Sequence, residues 1–367
     1  MTRSPAPFDS SSVTVIVPTF REVDNIPHLV ERLRVLREAV GLDLELLLMD
    51  DDSRDGSEQL VASLAQPWVS LVTRTTDRGL SQAVLDGLQR SKRDLVVIMD
   101  ADLSHPPEKI PELLSALRNG ADVAVGSRFT DGGSTAEDWG PLRWLNSRVA
   151  TVLAFPLTTI SDPMSGFFAM RRSTLNAGRE FDPIGYKILL EIIVKCHCRY
   201  IFEVPIHFDN RHLGRSKLCV NEQLKYFRHL RRLYTFRYGT WSHFAQFLAV
   251  GASGLGINLL ALTFLLQEGV AEKPAVAVAI FVSMVWNFAL NRRFSFSYAR
   301  DRSIVRQFCG FVAACSVGAM VNYFTTTNIW SMLRLKQIAA VIGVLAGTFF
   351  NFAASRFLVF RTKHVKR

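Results

Sequence analysis

The chain has 367 residues, of which 49% are hydrophobic and 26 are Phe, and it carries a formal net charge of +10. That length allows two or three domains, and a purely soluble enzyme rarely combines those values. Because the Arg and Lys residues flank long apolar stretches, the positive excess points to an anionic membrane surface and away from nucleic acid.

Residues 1–12 are polar and hold no apolar h-region, so they read as a flexible N-terminus without a secretory leader. The domain behind them is then expected to stay in the cytosol. Residues 13–17 form a short β-rich run that stops at Pro18, and Asp24 can cap a helix running to about residue 40. Residues 44–49 make a second buried strand that ends in Asp50-Asp51-Asp52; Asp55-Gly56 is a turn, and a helix follows. A third strand at 69–73, a helix at 79–90 and a fourth strand at 95–99 complete an alternation that predicts an α/β domain with a parallel sheet and short crossovers.

The fourth strand carries the strongest local signal. In VVIMDADLSHPPE, residues 96–108, the apolar run stops at Asp100-Ala101-Asp102. Two carboxylates one residue apart then sit at the carboxyl edge of the sheet, where open α/β sheets place their ligands. Hard oxygen anions there suit Mg²⁺ or Mn²⁺ carrying a diphosphate. A D-x-D alone also reads as a polar strand end capping the helix that starts near Pro106. What raises the binding reading is that three strands end in polar clusters: 18–22, 50–52 and 100–102.

Five cysteines, Cys196, Cys198, Cys219, Cys309 and Cys315, contain no C-x-x-C pair, and their odd number argues against a disulfide framework. Cys196-His197-Cys198 has no second half and reads as packing rather than a zinc site. Residues 138–157 mix Trp, Leu and Phe with Arg143, which fits either a helix at a membrane interface or an amphipathic helix on the protein's own core. The helix at 221–234 carries Lys225, Arg228, Arg231 and Arg232; within a juxtamembrane segment at 219–243, it reads as a bridge to the bilayer or as a solvated face.

Four apolar spans follow, at 244–266, 274–290, 308–330 and 338–354, none with an internal Asp, Glu, Lys or Arg. A bilayer core of about 30 Å needs roughly 20 residues, so the second and fourth are short and rely on aromatic flanks. Basic residues collect before the first span, between the second and third, and after the fourth in the tail at 361–367. That bias puts the N-terminal domain and the tail on the cytosolic side. Residues 286–296 (WNFALNRRFSF) resemble residues 350–360 (FNFAASRFLVF), and Gln246-Phe247 resembles Gln307-Phe308, which reads as two tandem helical hairpins. Glycines in the spans allow close helix approach. Asn258, Asn287, Asn322 and Asn351 need partners in lipid, and interhelical hydrogen bonds are the plainer use for them.

Taken in order, VTVIVPTFRE, LLLMDDDSRDGS, RGLSQAVLDGL, VVIMDADLSHPPE, VAVGSRF, DPMSGFFAMRR, GYKILLEI and EVPIHFDNRHLGRSKL resemble the dolichyl- or polyprenyl-phosphate mannose synthases, family 2 glycosyltransferases of the GT-A type. The resemblance covers roughly residues 13–233, and the spans at 244–360 resemble the GtrA-like four-helix family. It implies a Rossmann-like GT-A catalytic domain at 13–218 followed by an all-α membrane domain, with GDP-mannose and a polyprenyl (dolichyl) phosphate as substrates at the bilayer. An oligomer is compatible with it. The resemblance places the guanosine on Pro18, Phe20, Glu22, Asp50 and Asp51, with Lys217 also on the nucleotide. It places the metal and diphosphate on Asp100 and Asp102, with Ser104 beside the metal where some members carry Gln. It assigns the lipid phosphate to Arg128, Arg143 and Ser147, donor-site closure to Glu191, Arg211 and Lys217, and the catalytic roles to Asp102, Arg128 and Arg211. Phe20-Arg21 and Ser81 depart from the usual PTYNE and RGLG patterns.

Other readings stay open. A glucosyl donor such as UDP-glucose fits the same reaction class, and GtrA-like helices often accompany it, although DPMSGFFAMRR and GYKILLEI look closer to the mannose branch. A lipid-linked sugar flippase fits the repeated hairpins. The Q-x-x-R-W motif of processive synthases is not found in the sequence.

Overall fold

The computed structural model describes residues 12–136, 141–178, 181–185, 187–209, 220–333 and 336–361. Most of the predicted N-terminus and of the basic tail lies outside them. The chain divides into two compact units, Met1–Arg237 and Tyr238–Arg367.

The first unit is built on a seven-stranded sheet. Its strands are β1 (Ser12–Thr19), β2 (Asp43–Asp50), β3 (Val69–Thr73), β4 (Leu95–Ile98), β5 (Val123–Ser127), β7 (Phe168–Arg171) and β8 (Ile201–Pro205), in the order β3-β2-β1-β4-β7-β5-β8. A small second sheet pairs β6 (Ser134–Thr135) with β9 (His207–Phe208). β1 to β4 are parallel, as the alternation predicts, but the sheet as a whole is mixed. β7 runs antiparallel between β4 and β5.

Helices α1 (Ile26–Val40), α2 (Ser57–Leu64), α3 (Leu80–Arg90), α4 (Ile110–Arg118) and α6 (Ile188–Lys195) cover the two faces, while α5 (Pro141–Ala154) and α7 (Val220–Tyr238) pack with the far side of α6. α1 starts with Pro27 in its first turn, where a missing N–H costs nothing, and stops at Gly41 in the left-handed conformation. Its Ile26, Leu29, Val30, Leu33 and Leu36 are buried, so one stripe faces the sheet. Each such side chain contributes about 1.5–3 kcal/mol of burial. On the other face α3 lies so close that a Cβ on Gly87 would stand 2.5 Å from Ile16 Cγ2.

The second unit holds α8 (Thr240–Gln267), α9 (Glu272–Leu290), α10 (Ile304–Leu333) and α11 (Lys336–Ala354). All four are long and apolar enough to cross a membrane. The two short spans gain length in a specific way: α9 and α11 each run on into a π-helical turn, Asn291–Ser295 and Ser355–Val359. The hairpins are related residue for residue at a constant spacing of 64. A Cβ on Gly254 would strike Asn287, and one on Gly318 would strike Asn351. Ring contacts repeat in the same way. Phe244–Phe352 and Phe288–Phe308 lie 5.0 and 5.1 Å apart, Phe247–Phe352 and Phe288–Phe311 5.7 and 5.8 Å, and Phe296–Phe352 and Phe288–Phe360 both 6.2 Å. Phe296 stacks on its own mate Phe360 at 4.8 Å. The Gln-Phe pair of the sequence, spaced by 61, is therefore one helical turn out of the structural register. Phe244 matches Phe308, and Phe247 matches Phe311.

Substituting Gly87→Leu should lower the stability of the first unit by about 1–3 kcal/mol, the usual cost of overpacking. Thermal unfolding of the detergent-solubilised protein measures this, and an unchanged midpoint would contradict the close α3–β1 contact.

Candidate active site

β2, β1 and β4 are adjacent and parallel, so Asp50–Asp52, Phe20–Glu22 and Asp100–Asp102 emerge on one edge. The loops there are sharply turned, with Arg21, Asp52, Arg54, Asp77 and Leu103 all at positive φ. Such backbone is held only where its surroundings over-determine it. Asp50, 4% exposed, supplies part of that: it accepts from Thr19 Oγ1 (3.2 Å), Ser53 N (2.8 Å) and Ser53 Oγ, while Ser53 Oγ accepts from Arg21 N (2.8 Å). Asp51 accepts from Gly79 N (2.7 Å) and pairs with the buried Arg74, which also binds Asp86. Both expected nucleoside-binding carboxylates are thus anchored by the protein itself. Around them, Phe20 is exposed, Pro18 half-buried, and Glu22 accepts from Asn25 Nδ2 at 2.6 Å.

The loop after β4 holds the two aspartates differently. Asp102 is buried and accepts from Ser104 N (3.2 Å) and Ser104 Oγ (2.5 Å). Ser104, 1% exposed, thereby orients the carboxylate. Asp100 keeps a side chain 31% exposed. A Cβ on residue 166 would stand 3.0 Å from Asp100 Oδ2, so Gly166 keeps that carboxylate approachable. Beneath them His105 Nδ1 accepts from Asp100 N (3.2 Å), and its ring stacks on Phe167 and meets Phe208 edge-on. Burial holds the His105 imidazole below its usual range, against the pull of Asp100 and Asp102.

The donor set fits Mg²⁺ or Mn²⁺ of the kind held by one or two carboxylates, with diphosphate oxygens and water completing the shell. Among the described residues no group of three His, Cys, Asp or Glu gathers as a protein cage.

Opposite charge stands close by. Arg128, at the end of β5, forms a bidentate pair with Asp162: Nε to Oδ2 and Nη2 to Oδ1, both 2.7 Å, with the backbone N–H of Arg128 adding 3.2 Å. Asp162 is fully buried, and Glu203 accepts from the backbone N–H groups of Ser161 and Asp162. The Arg128 guanidinium lies 5.2 Å from the Phe208 ring, the ring that also meets His105. Lys187 is half-buried at the start of α6. Desolvation and the Arg128 charge bring its ammonium down to about 8, against Asp162, Asp100 and Glu222. The charges of Arg128, Asp162 and Asp100 are thus all felt at Lys187.

The remaining expected residues fall elsewhere. Glu191 is 1% exposed on α6, where it accepts from Asp182 N (3.0 Å), pairs with Lys195 (2.5 Å) and faces His229 of α7 at 4.0 Å. Arg143 and Ser147 lie on α5; the Arg143 side chain, Arg211 and Lys217 fall outside the described residues. α5 is bound to α7 by Tyr226 OH to Ala150 O and Tyr234 OH to Leu153 O, both 2.7 Å. This pair exposes Leu145, Val149 and Val152 on α5, Phe155 just after it, and Leu224 and Phe227 on α7. Asp162, His105 and Lys187 were not singled out from the sequence. Each lies inside a motif that was, but only the fold shows that the three motifs converge.

Residues 14–178 match the family described as "Glycosyl transferase family 2", and residues 246–360 match "GtrA/DPMS, transmembrane domain". A protein from Pyrococcus furiosus named dolichol-phosphate mannosyltransferase is 36% identical over 358 residues, covering 95% of this chain and 99% of the relative. Proteins of the same name from Mycosarcoma maydis and Saccharomyces cerevisiae are 40% and 38% identical, covering 62% and 63% of this chain and 81% and 90% of their own lengths.

Asp162→Ala removes both charge-assisted bonds to Arg128 from a buried setting, which should destabilise the unit by about 3–5 kcal/mol. Chemical denaturation of the solubilised protein tests this; a loss below about 1 kcal/mol is the scale of a surface pair.

Proposed function

The chain belongs to the dolichol-phosphate mannosyltransferases, family 2 glycosyltransferases with a GtrA/DPMS transmembrane domain, and on that premise we propose that it transfers mannose from GDP-mannose to a polyprenyl phosphate. The product is a β-linked polyprenyl-phosphate mannose, formed with inversion. The observation that carries the reading is that the Asp100–Asp102 carboxylates and the Asp162-anchored Arg128 leave the same edge of the sheet, after β4 and β5, which both run antiparallel to β7.

The reaction must bring a phosphate monoester against a sugar diphosphate, and both are anions. Asp100 and Asp102 would hold Mg²⁺ or Mn²⁺, which when bound would supply positive charge to offset that of the GDP leaving group. Arg128 and Lys187 neutralise the acceptor phosphate. The bond to Asp162 fixes the Arg128 plane, so the guanidinium needs no reorganisation when the acceptor arrives. A hydroxyl acceptor would require a general base. A phosphate monoester has its second pKa near about 6 and is already a charged nucleophile at pH 7, so no protein base takes part. Positioning and electrostatics provide the catalysis.

The acceptor is a lipid, and the α5–α7 pair supports delivery from a bilayer. Its exposed Val149, Val152, Phe155 and Phe227 form the apolar surface expected of helices lying at the headgroup boundary. Arg143 and Ser147 on α5 receive the lipid phosphate there. The arginine-rich loops in the sequence of the four-span segment support a cytosolic side for the catalytic unit by the positive-inside bias.

The test incubates membranes holding the protein with labelled nucleotide sugars and polyprenyl phosphate, followed by mild acid hydrolysis and sugar identification. GDP-mannose should label the lipid with mannose; labelling from UDP-glucose instead would overturn the donor assignment. Asp102→Asn should lower metal-dependent transfer by about 10²–10³-fold, the scale of losing one preorganised electrostatic contact. Arg143→Ala should raise KM for the lipid acceptor about tenfold, the loss of one charge-assisted hydrogen bond, with KM for GDP-mannose unchanged. Equal loss on both substrates would remove Arg143 from the acceptor site.

A further inference from the structure

The two hairpins of the membrane unit agree closely around their phenylalanine core, but they differ along one face. Between α10 and α11 lies a groove of about 390 Å³, lined by Arg302, Ser303, Arg306 and Gln307 at one end and by Gly310, Ala314, Val317, Ala354 and Leu358 along its length. The matching positions of the first hairpin, 64 residues earlier, are Tyr238, Gly239, Ser242 and His243, then Gln246, Val250, Ser253, Leu290 and Phe294. Gly310, Ala314, Ala354 and Leu358 thus replace Gln246, Val250, Leu290 and Phe294. At these four places the second hairpin carries the smaller side chain; at the fifth, Val317 is larger and more apolar than Ser253. At the mouth it carries two arginines where the first carries none.

From this asymmetry we infer a lipid site: the groove binds the monophosphate of a polyisoprenyl lipid at Arg302 and Arg306, with its hydrocarbon chain lying along Gly310, Ala314 and Val317. Four observations support this occupant. No acidic residue lines the groove, and among the described residues neither Arg302 nor Arg306 forms an ion pair. Ser303 caps the start of α10, with Gln307 N bound to Ser303 O at 3.1 Å, so the positive end of a 30-residue helix faces the same mouth. From Ser303 to Val317 the groove follows one face of α10 for about 21 Å at 1.5 Å per residue. That is roughly two thirds of the ~30 Å hydrocarbon core. The mouth is also rigid: Gln307 is 3% exposed, gives its Nε2–H to Ala299 O (2.8 Å) and accepts from Arg292 Nε (2.9 Å).

Charge selects among lipids. A monoester carries about −1.5 to −2 at pH 7, which two guanidiniums complement bidentately. A diacyl phospholipid is a diester with a single charge, and so is a glycosylated polyprenyl phosphate. The site therefore prefers the unmodified acceptor over both. The choice of a polyisoprenyl chain rests on the proposed function; the choice of a phosphate-headed tail rests on the groove itself. The small wall residues leave lateral room for branched methyl groups.

The test uses the full chain in nanodiscs and a photoreactive polyprenyl monophosphate, with labelled residues mapped by mass spectrometry. Apart from labelling at the acceptor site of the catalytic unit, labelling should fall within residues 310–317 and 350–358. Polyprenol without phosphate should label weakly, and excess phosphatidylglycerol or inorganic phosphate should not displace the probe. Arg302→Gln with Arg306→Gln should reduce labelling about tenfold or more, the scale of the charge-assisted bonds removed. Gly310→Leu, which fills the slot without touching charge, should reduce it as well, and both variants are checked for an unchanged melting midpoint. Asp102→Asn separates the two readings: it removes transfer and should leave this labelling intact. Displacement by phosphatidylglycerol would show a bulk phospholipid site and displacement by inorganic phosphate an anion site without a tail. Labelling that ignores both groove variants would show no site at all; each of these outcomes overturns the inference.

Discussion

The structure of the catalytic unit depends on keeping positive charge in place beside a negative edge. Arg128 faces carboxylates on the same rim, and without restraint a long cationic side chain would collapse onto Asp100 or turn to water. Asp162 prevents both. It is fully buried, meets the guanidinium with both oxygens at 2.7 Å, and sits on a loop whose backbone is pinned by Glu203. A buried pair of this kind is not a general source of stability, because two desolvated ions offset their own attraction. Its value here is orientation: one edge of the planar cation is committed to Asp162, with the Phe129 and Phe208 rings each 5.2 Å from the guanidinium, which leaves a fixed geometry for a second anion.

Much of the site was legible in the sequence because it follows from strand ends. An apolar run that halts on acids identifies the rim, and parallel alternation puts successive halts on the same side. The expectations for Asp50, Asp51, Asp100 and Asp102 share that logic, and the structure gathers all four at the edge of β2, β1 and β4. What the pattern does not encode is division of labour. Asp50 and Asp51 are tied to Ser53, Thr19, Arg74 and Gly79, whereas Asp100 is partly open. Burial and hydrogen bonds decide that difference, and both depend on residues distant in sequence. The direction of β7 was hidden for the same reason. Four residues, Phe168–Arg171, look alike in either orientation, and only the neighbours on both sides fix which one is used. Lys187 lies 59 residues from Arg128 in sequence, so the influence of that guanidinium on the Lys187 ammonium is a property of the fold.

In the membrane unit the sequence revealed a repeat but misplaced part of its register. Short identical words such as Gln-Phe attract the eye, yet what must match between the hairpins is the set of surfaces that touch. The spacing of 64 satisfies glycine–asparagine contacts in both hairpins and reproduces ring distances to within 0.1 Å in three pairs. Small residues do in each hairpin what large apolar residues do in a water-soluble core: without a hydrophobic force between helices, close contact itself supplies the attraction. The π-helical turns, one in each half, close the rings onto a common stack and lengthen the two spans that looked too short.

That stack of Phe296 on Phe360 has a directional consequence. Both rings follow descending helices of equivalent hairpins, so the pseudo-axis through them runs along the bilayer normal, the relation found in parallel rather than inverted duplications. Rotating one half onto the other returns every arginine-bearing end to the leaflet it started from. In inverted duplications, trading the shapes of the two halves converts an inward-facing protein into an outward-facing one. Here the same trade would leave sidedness untouched, so the duplication fixes a polarity of top and bottom that no exchange between its halves can reverse.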